Sequence, residues 1–131
     1  MSFESGIPDL LRRFVATPHT FSTGMGEDAI RLETNDPMIV DNFRSQFHNF
    51  PHSYTWKLIR DDVTSTDDVT TVFVSGSLVM VLFGIETCVV VDRDCRRVFG
   101  FLACDVDASE FLNRLSPILA ESAVATDRSA R

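Results

Sequence analysis

Four apolar runs, Val69–Val74, Leu78–Phe83, Thr87–Val91 and Arg97–Ala103, follow one another with only three to five residues between them. Ser75-Gly76-Ser77, Gly84-Ile85-Glu86 and Asp92–Arg96 are the connections. Links that short join antiparallel neighbours, because a parallel crossover takes a dozen or more residues. Just upstream, Tyr54, Trp56 and Leu58 alternate with Thr55 and Lys57, as on a half-buried strand. The pattern predicts a five-stranded antiparallel meander over about 54–103, with the acidic stretch Asp61–Asp68 as a solvated hairpin tip.

Helical signals flank the meander. Asn35-Asp36-Pro37 is a helix start, with Pro37 where its missing N–H is harmless. Ile39, Val40, Phe43, Phe47 and Phe50 then form one stripe, and Pro51 closes a helix over 37–50. After the meander, Asp107 is a cap and Glu110 stands where a capping box needs it. Ala108, Phe111, Leu112, Leu115, Ile118 and Leu119 keep an apolar stripe over 108–120, and Pro117 kinks that helix or ends its regular part. Ahead of all this, Ile7–Phe14 reads as a short helix with Pro8 in its first turn, and Val15–Asp28 as a loop broken by Pro18, Gly24 and Gly26. Ala29–Glu33 reads as a strand with Ile30 and Leu32 inward. The fold class is α+β, with one domain over 1–121 and a flexible tail over 122–131.

Length and composition agree with a single domain. A chain of 131 residues with 44% apolar residues and 11 Phe can bury a sufficient core. Its net charge of −7, without a basic run, repels phosphate backbones and anionic membranes. The N-terminal residues Met1–Gly6 lack the basic start and apolar run of a signal peptide. Leu78–Ile85 is far shorter than the ~20 residues that span a bilayer. Cys88, Cys95 and Cys104 include no C-x-x-C pair, a usage that suits free thiols in a reducing compartment. The expected location is the cytoplasm.

Each cluster that might carry chemistry has a plainer reading. His48 and His52 have a metal-chelating spacing, with Asp41 upstream, yet Pro51 ends the helix between them. Asp61, Asp62, Asp67 and Asp68 lack the central Gly of a calcium loop. Arginines beside Cys95 would activate the thiol, but Asp92 and Asp94 oppose them. Asp105 and Asp107 are a carboxylate pair of which Asp107 already serves as cap. Ser75-Gly76-Ser77 joins two strands, unlike a nucleophile elbow, and Thr23-Gly24-Met25-Gly26 does not lie between a strand and a helix, as phosphate loops do. Phe43, Phe47 and Phe50 are core. No catalytic, cofactor or metal residue is assigned.

The segment Ile30-Arg31-Leu32-Glu33-Thr34-Asn35-Asp36-Pro37, continued by the helix to Phe50, resembles the non-catalytic accessory domain of bacterial proteins related to HPr serine kinase. In that family the region precedes a phosphate-binding loop ending in Gly-Lys-Ser/Thr, on which the kinase activity depends. This chain has no such segment. The resemblance, over about 20 residues, therefore implies a stand-alone relative of the accessory lobe, with no catalytic residue carried over.

One feature bears on function. Leu78–Phe83, Cys88–Val91 and Val98–Leu102 are apolar at consecutive positions, so both faces of these strands favour burial. Two helices cover one face. The N-terminal segment, a ligand or a second copy of the chain must cover the other. The expectation is a non-enzymatic domain, homodimeric or bound to a protein partner, that acts by protein–protein interaction or self-assembly. The alternatives are a small-molecule-binding or regulatory domain, with a pocket between sheet and C-terminal helix, and a small acidic secretion-type chaperone.

Overall fold

The computed structural model describes residues 16–24 and 29–129. Its strands are β1 (His19–Thr23), β2 (Ile30–Thr34), β3 (Thr55–Arg60), β4 (Thr70–Ser75), β5 (Leu78–Phe83), β6 (Cys88–Asp92) and β7 (Arg97–Leu102). Helix α1 (Pro37–Gln46) lies between β2 and β3 and runs into a 3-10 turn at Phe47–Asn49, while α2 (Ala108–Ser129) follows β7. All seven strands form one sheet in the order β1-β2-β3-β7-β6-β5-β4.

The sheet is mixed, which corrects the five-stranded antiparallel meander over about 54–103. β4, β5, β6 and β7 are the antiparallel run the short connections demand. β3 is not its first strand. It lies between β2 and β7, parallel to both. The link from β2 to β3 contains a helix and is long enough for a parallel crossover. The stretch Asp61–Val69 is likewise no hairpin tip: it passes the strand ends and delivers the chain from the sheet centre to the far edge. Cys104 N donates to Val63 O at 2.8 Å and Gly84 N to Val69 O at 2.9 Å, holding both ends of that passage. Gly84 permits the close approach, because a Cβ there would meet Asp67 O at 2.3 Å.

Three further boundaries differ. β1 occupies part of the stretch read as a loop over 15–28, pairing antiparallel with β2. The first helix ends at Gln46, and the 3-10 turn takes Phe47–Asn49. The second helix does not stop near 120 but continues through Pro117 to Ser129, giving up one helical hydrogen bond at the proline. The short helix at Ile7–Phe14 lies outside the described residues. The strand at Ala29–Glu33 is present as β2, with Ile30 and Leu32 buried.

Both helices pack against each other and against one face of the sheet. That face presents Ile30, Leu32, Trp56, Leu58, Val98, Val89, Val91, Val79 and Val81, all buried. Trp56 stands at its centre, edge-on to Phe43 at 5.1 Å and to Phe50 at 4.9 Å between ring centroids. The helix start at Asn35-Asp36-Pro37 is a joint of the fold. Asp36 Oδ1 accepts from Met38 N at 3.0 Å, capping α1. Its other oxygen pairs with Arg60 Nε at 2.9 Å, and Arg60 Nη1 donates to Ala103 O and Val106 O at 2.7 and 2.6 Å. One guanidinium thus ties the start of α1, the end of β3 and the approach to α2.

Candidate functional site

Successive strand residues point to opposite faces, so strand register fixes what the helix-free face carries. One row crosses it as Glu33, Lys57, Phe99, Val90, Met80 and Phe73. A second runs Ile59, Phe101, Cys88, Leu82 and Thr71. The face changes character along these rows. On the β2–β3 side it is polar, with Glu33 Oε1 paired to Lys57 Nζ at 3.5 Å. A groove of about 460 Å³ opens there between Glu33, Thr55, Lys57, Arg97 and Phe99. Toward β4 the first row becomes apolar and increasingly exposed: Met80 is 39% and Phe73 55% in water, with Thr71 and Ser75 flanking Phe73 on the same face.

The β4 edge extends the patch onto the other face. Val72 and Val74 point to the helix side but lie beyond the helices, exposed by 42% and 60%. Among the described residues β4 has β5 as its one neighbour in the sheet. Its six residues, TTVFVS, contain no proline and no charge, the features that ordinarily protect an edge strand from pairing.

Beside α2 several polar groups are engaged in holding the fold. A cleft of about 300 Å³ lies beside the first turns of α2, lined among others by Phe83, Asp105, Glu110, Phe111 and Arg114. Asp105 Oδ1 accepts from Ser65 N at 2.9 Å and Ser65 Oγ at 2.7 Å, and these bonds hold its carboxyl below the ordinary range. The Thr66 backbone and hydroxyl do the same to Glu86. Arg114 donates to Asp68 O and Thr70 Oγ1 at 2.9 and 2.6 Å and lies over the Phe83 ring. Deeper between sheet and helix, the space beside Tyr54, Trp56 and Leu119 is about 20 Å³, room for about one water.

The clusters weighed in the sequence fall as follows. His48 and His52 are exposed, and His48 sits edge-on to Phe47. Asp41 lies 4.0 Å from Arg44. Asp62, Asp67 and Asp68 are exposed along the passage, where Asp67 Oδ1 accepts from Val69 N. Among the described residues no three His, Cys, Asp or Glu side chains gather in a metal-binding arrangement. Cys95 is exposed, and its backbone N–H donates to Asp92 Oδ1 at 3.1 Å. Hydrogen bonding to Asp92 and the charge of that carboxylate push the Cys95 thiol up, away from activation. Asp107 caps α2 through Glu110 N at 3.0 Å. Phe43 and Phe50 are buried in the core, with Phe47 packed against it.

The β4 edge is the surface that sequence reasoning missed. Its signal was present as Val72-Phe73-Val74 without a charge, but only the sheet order reveals the strand as an edge. No family model, curated protein or solved structure is significantly similar to the chain. No helix among the described residues is long and apolar enough to cross a membrane.

Proposed function

We propose that this chain is a non-enzymatic module that acts by self-association or by joining another protein through the apolar, β4 side of its sheet. The observation that carries the reading is the exposure of Val72, Phe73, Val74, Leu78 and Met80 in one contiguous region. Together they leave on the order of 400 Å² of apolar surface in water, the size at which a patch on a monomer marks an interaction site. The resemblance of Ile30–Phe50 to an accessory lobe supports the same class of role, and Asn35 and Asp36 in that segment serve as structural ties to Arg60 of β3. Light scattering of the purified chain tests the reading: a mass above one chain supports it, and Phe73→Asp or Met80→Asp lowers that mass with the fold intact. A monomer at high micromolar concentration that also captures no partner refutes it.

A second reading, a small-molecule site beside α2, rests on the 300 Å³ cleft with Phe83, Phe111 and Arg114 in its wall. The engagement of Asp105 and Arg114 with protein groups favours the first.

A further inference from the structure

We infer that two copies of the chain pair through β4, antiparallel and edge to edge, with the molecular two-fold axis passing beside Phe73. This rests on the self-association reading and gives it a register.

The backbone supplies the first argument. Val69 O accepts from Gly84 N at 2.9 Å, and β4 pairs with β5 as Thr70↔Phe83 through Ser75↔Leu78. Antiparallel bonding alternates along a strand. Thr71, Phe73 and Ser75 therefore turn their N–H and C=O toward β5, and Thr70, Val72 and Val74 turn theirs outward. The other side of β5 gives the same phase. Phe83 N donates to Thr87 O at 2.9 Å, so residues 79, 81 and 83 of β5 serve β6, and residues 78, 80 and 82 serve β4. Among the described residues no hydrogen bond reaches the outward backbone groups of Val72 and Val74. They are a donor–acceptor row awaiting a strand.

Symmetry supplies the second. Directly opposed residues of antiparallel strands lie on the same face, so a two-fold normal to the sheet must pass beside a residue that opposes itself. Only a few centres fit a strand of this length. With Phe73 at the axis, Phe73 faces Phe73 of the other copy, each Val72 faces a Val74, and each Thr71 faces a Ser75. Apolar meets apolar and hydroxyl meets hydroxyl. Moving the centre to Val72 sets Thr71 against Phe73 and Thr70 against Val74, which strands both apolar residues beside hydroxyls. The sequence TTVFVS is close to a palindrome about Phe73, which argues for a second copy over an unrelated strand. Centred there, Val72 and Val74 exchange about four backbone hydrogen bonds across the joint. Met80, which pairs with Phe73 within each copy, extends the row as Met80, Phe73, Phe73, Met80 across the two-fold.

Such a joint is smaller than the ~800 Å² per partner of a standard interface, so the dimer should form in the micromolar range. The test is a cross-linking series with Cys88, Cys95 and Cys104 replaced by serine. Under mild oxidation Phe73→Cys should form a disulfide dimer in high yield. Val72→Cys alone should not, because at this register two copies of residue 72 stand beyond the ~7 Å Cα separation a disulfide spans. An equal mixture of Val72→Cys and Val74→Cys should cross-link. Val72→Pro provides the second arm: the lost N–H points away from β5, so the monomer keeps its ladder and its far-ultraviolet spectrum while its mass falls to one chain. Cross-linking of Val72→Cys in place of Phe73→Cys overturns the register. A protein that stays dimeric as folded Val72→Pro overturns the edge pairing and leaves self-association standing. A monomeric native protein overturns both.

Discussion

The side chain of Asn35 is bonded to both backbone groups of Arg60: Nδ2 donates to Arg60 O at 3.0 Å, and Arg60 N donates to Oδ1 at 2.6 Å. An amide side chain thus continues the β2–β3 ladder one step past the end of β2. Asn35→Ala removes two partly buried bonds and leaves both backbone groups of Arg60 unpaired. At about 1 kcal/mol per bond, the expected loss is about 2 kcal/mol. A fall in Tm of several degrees by differential scanning calorimetry, with no change in self-association, is the predicted result.

The guanidinium of Arg60 makes a different prediction. It holds Asp36, Ala103 O and Val106 O at once. Lysine is a point charge without the planar fork, so Arg60→Lys keeps the charge and loses the geometry. It should destabilise by an amount close to Arg60→Met, measured by urea denaturation. Recovery of most of the stability by lysine would show that charge alone matters at this joint.

Much of this was legible in advance, and the misses have physical causes. The apolar runs Leu78–Phe83 and Cys88–Val91 became strands at the expected positions, and Asp36 and Asp107 cap helices as their spacing predicts. β1 was missed because HTFST carries one inward apolar residue, Phe21, packed on Phe43 and Phe47. β3 was read as half-buried from the alternation of Trp56 and Leu58. Its central place shows in Ile59, which is buried on the opposite face. A strand, a helix and a strand over 30–60 form a parallel unit, and β3 then lies between β2 and β7. The passage Asp61–Val69 has the composition of a hairpin loop, and nothing local reveals that its ends lie at different places in the sheet.

Acid should loosen that passage. The carboxyls of Asp105 and Glu86 are held below their ordinary values by bonds from Ser65 and Thr66. A depressed carboxyl contributes stability that is fully present above its unfolded pKa of about 4 and is lost as pH falls through its folded value. Melting curves of the native chain and Asp105→Ala should therefore differ by a constant amount from pH 7 down to about 5, and converge below about 4. A gap that widens in acid would contradict the assignment.

The thiols should be slow. Burial pushes the Cys88 thiol up, and Asp92 does the same to Cys95. Since the thiolate is the reactive form, Cys95 should label more slowly at neutral pH than a model thiol despite its exposure. Asp92→Asn should speed it. Faster labelling of native Cys95 than of the model thiol would contradict the reading of that turn.

Self-association should respond to salt in one direction. Each chain carries −7, so two copies repel, and raising ionic strength from 0.01 to 0.1 M shortens the screening length from ~30 to ~10 Å. The uncharged β4 joint should therefore strengthen as salt rises, followed by sedimentation velocity. Weakening with salt would mean that charged groups, not β4, hold the copies together.

The central claim is that the apolar β4 side of the sheet joins two copies of the chain. Its most direct test is the mass of the native protein by light scattering across the micromolar range, measured beside folded Phe73→Asp. The account predicts twice the mass of one chain for the native protein at the upper concentrations and one chain for the variant. Equal masses for the two proteins would contradict it.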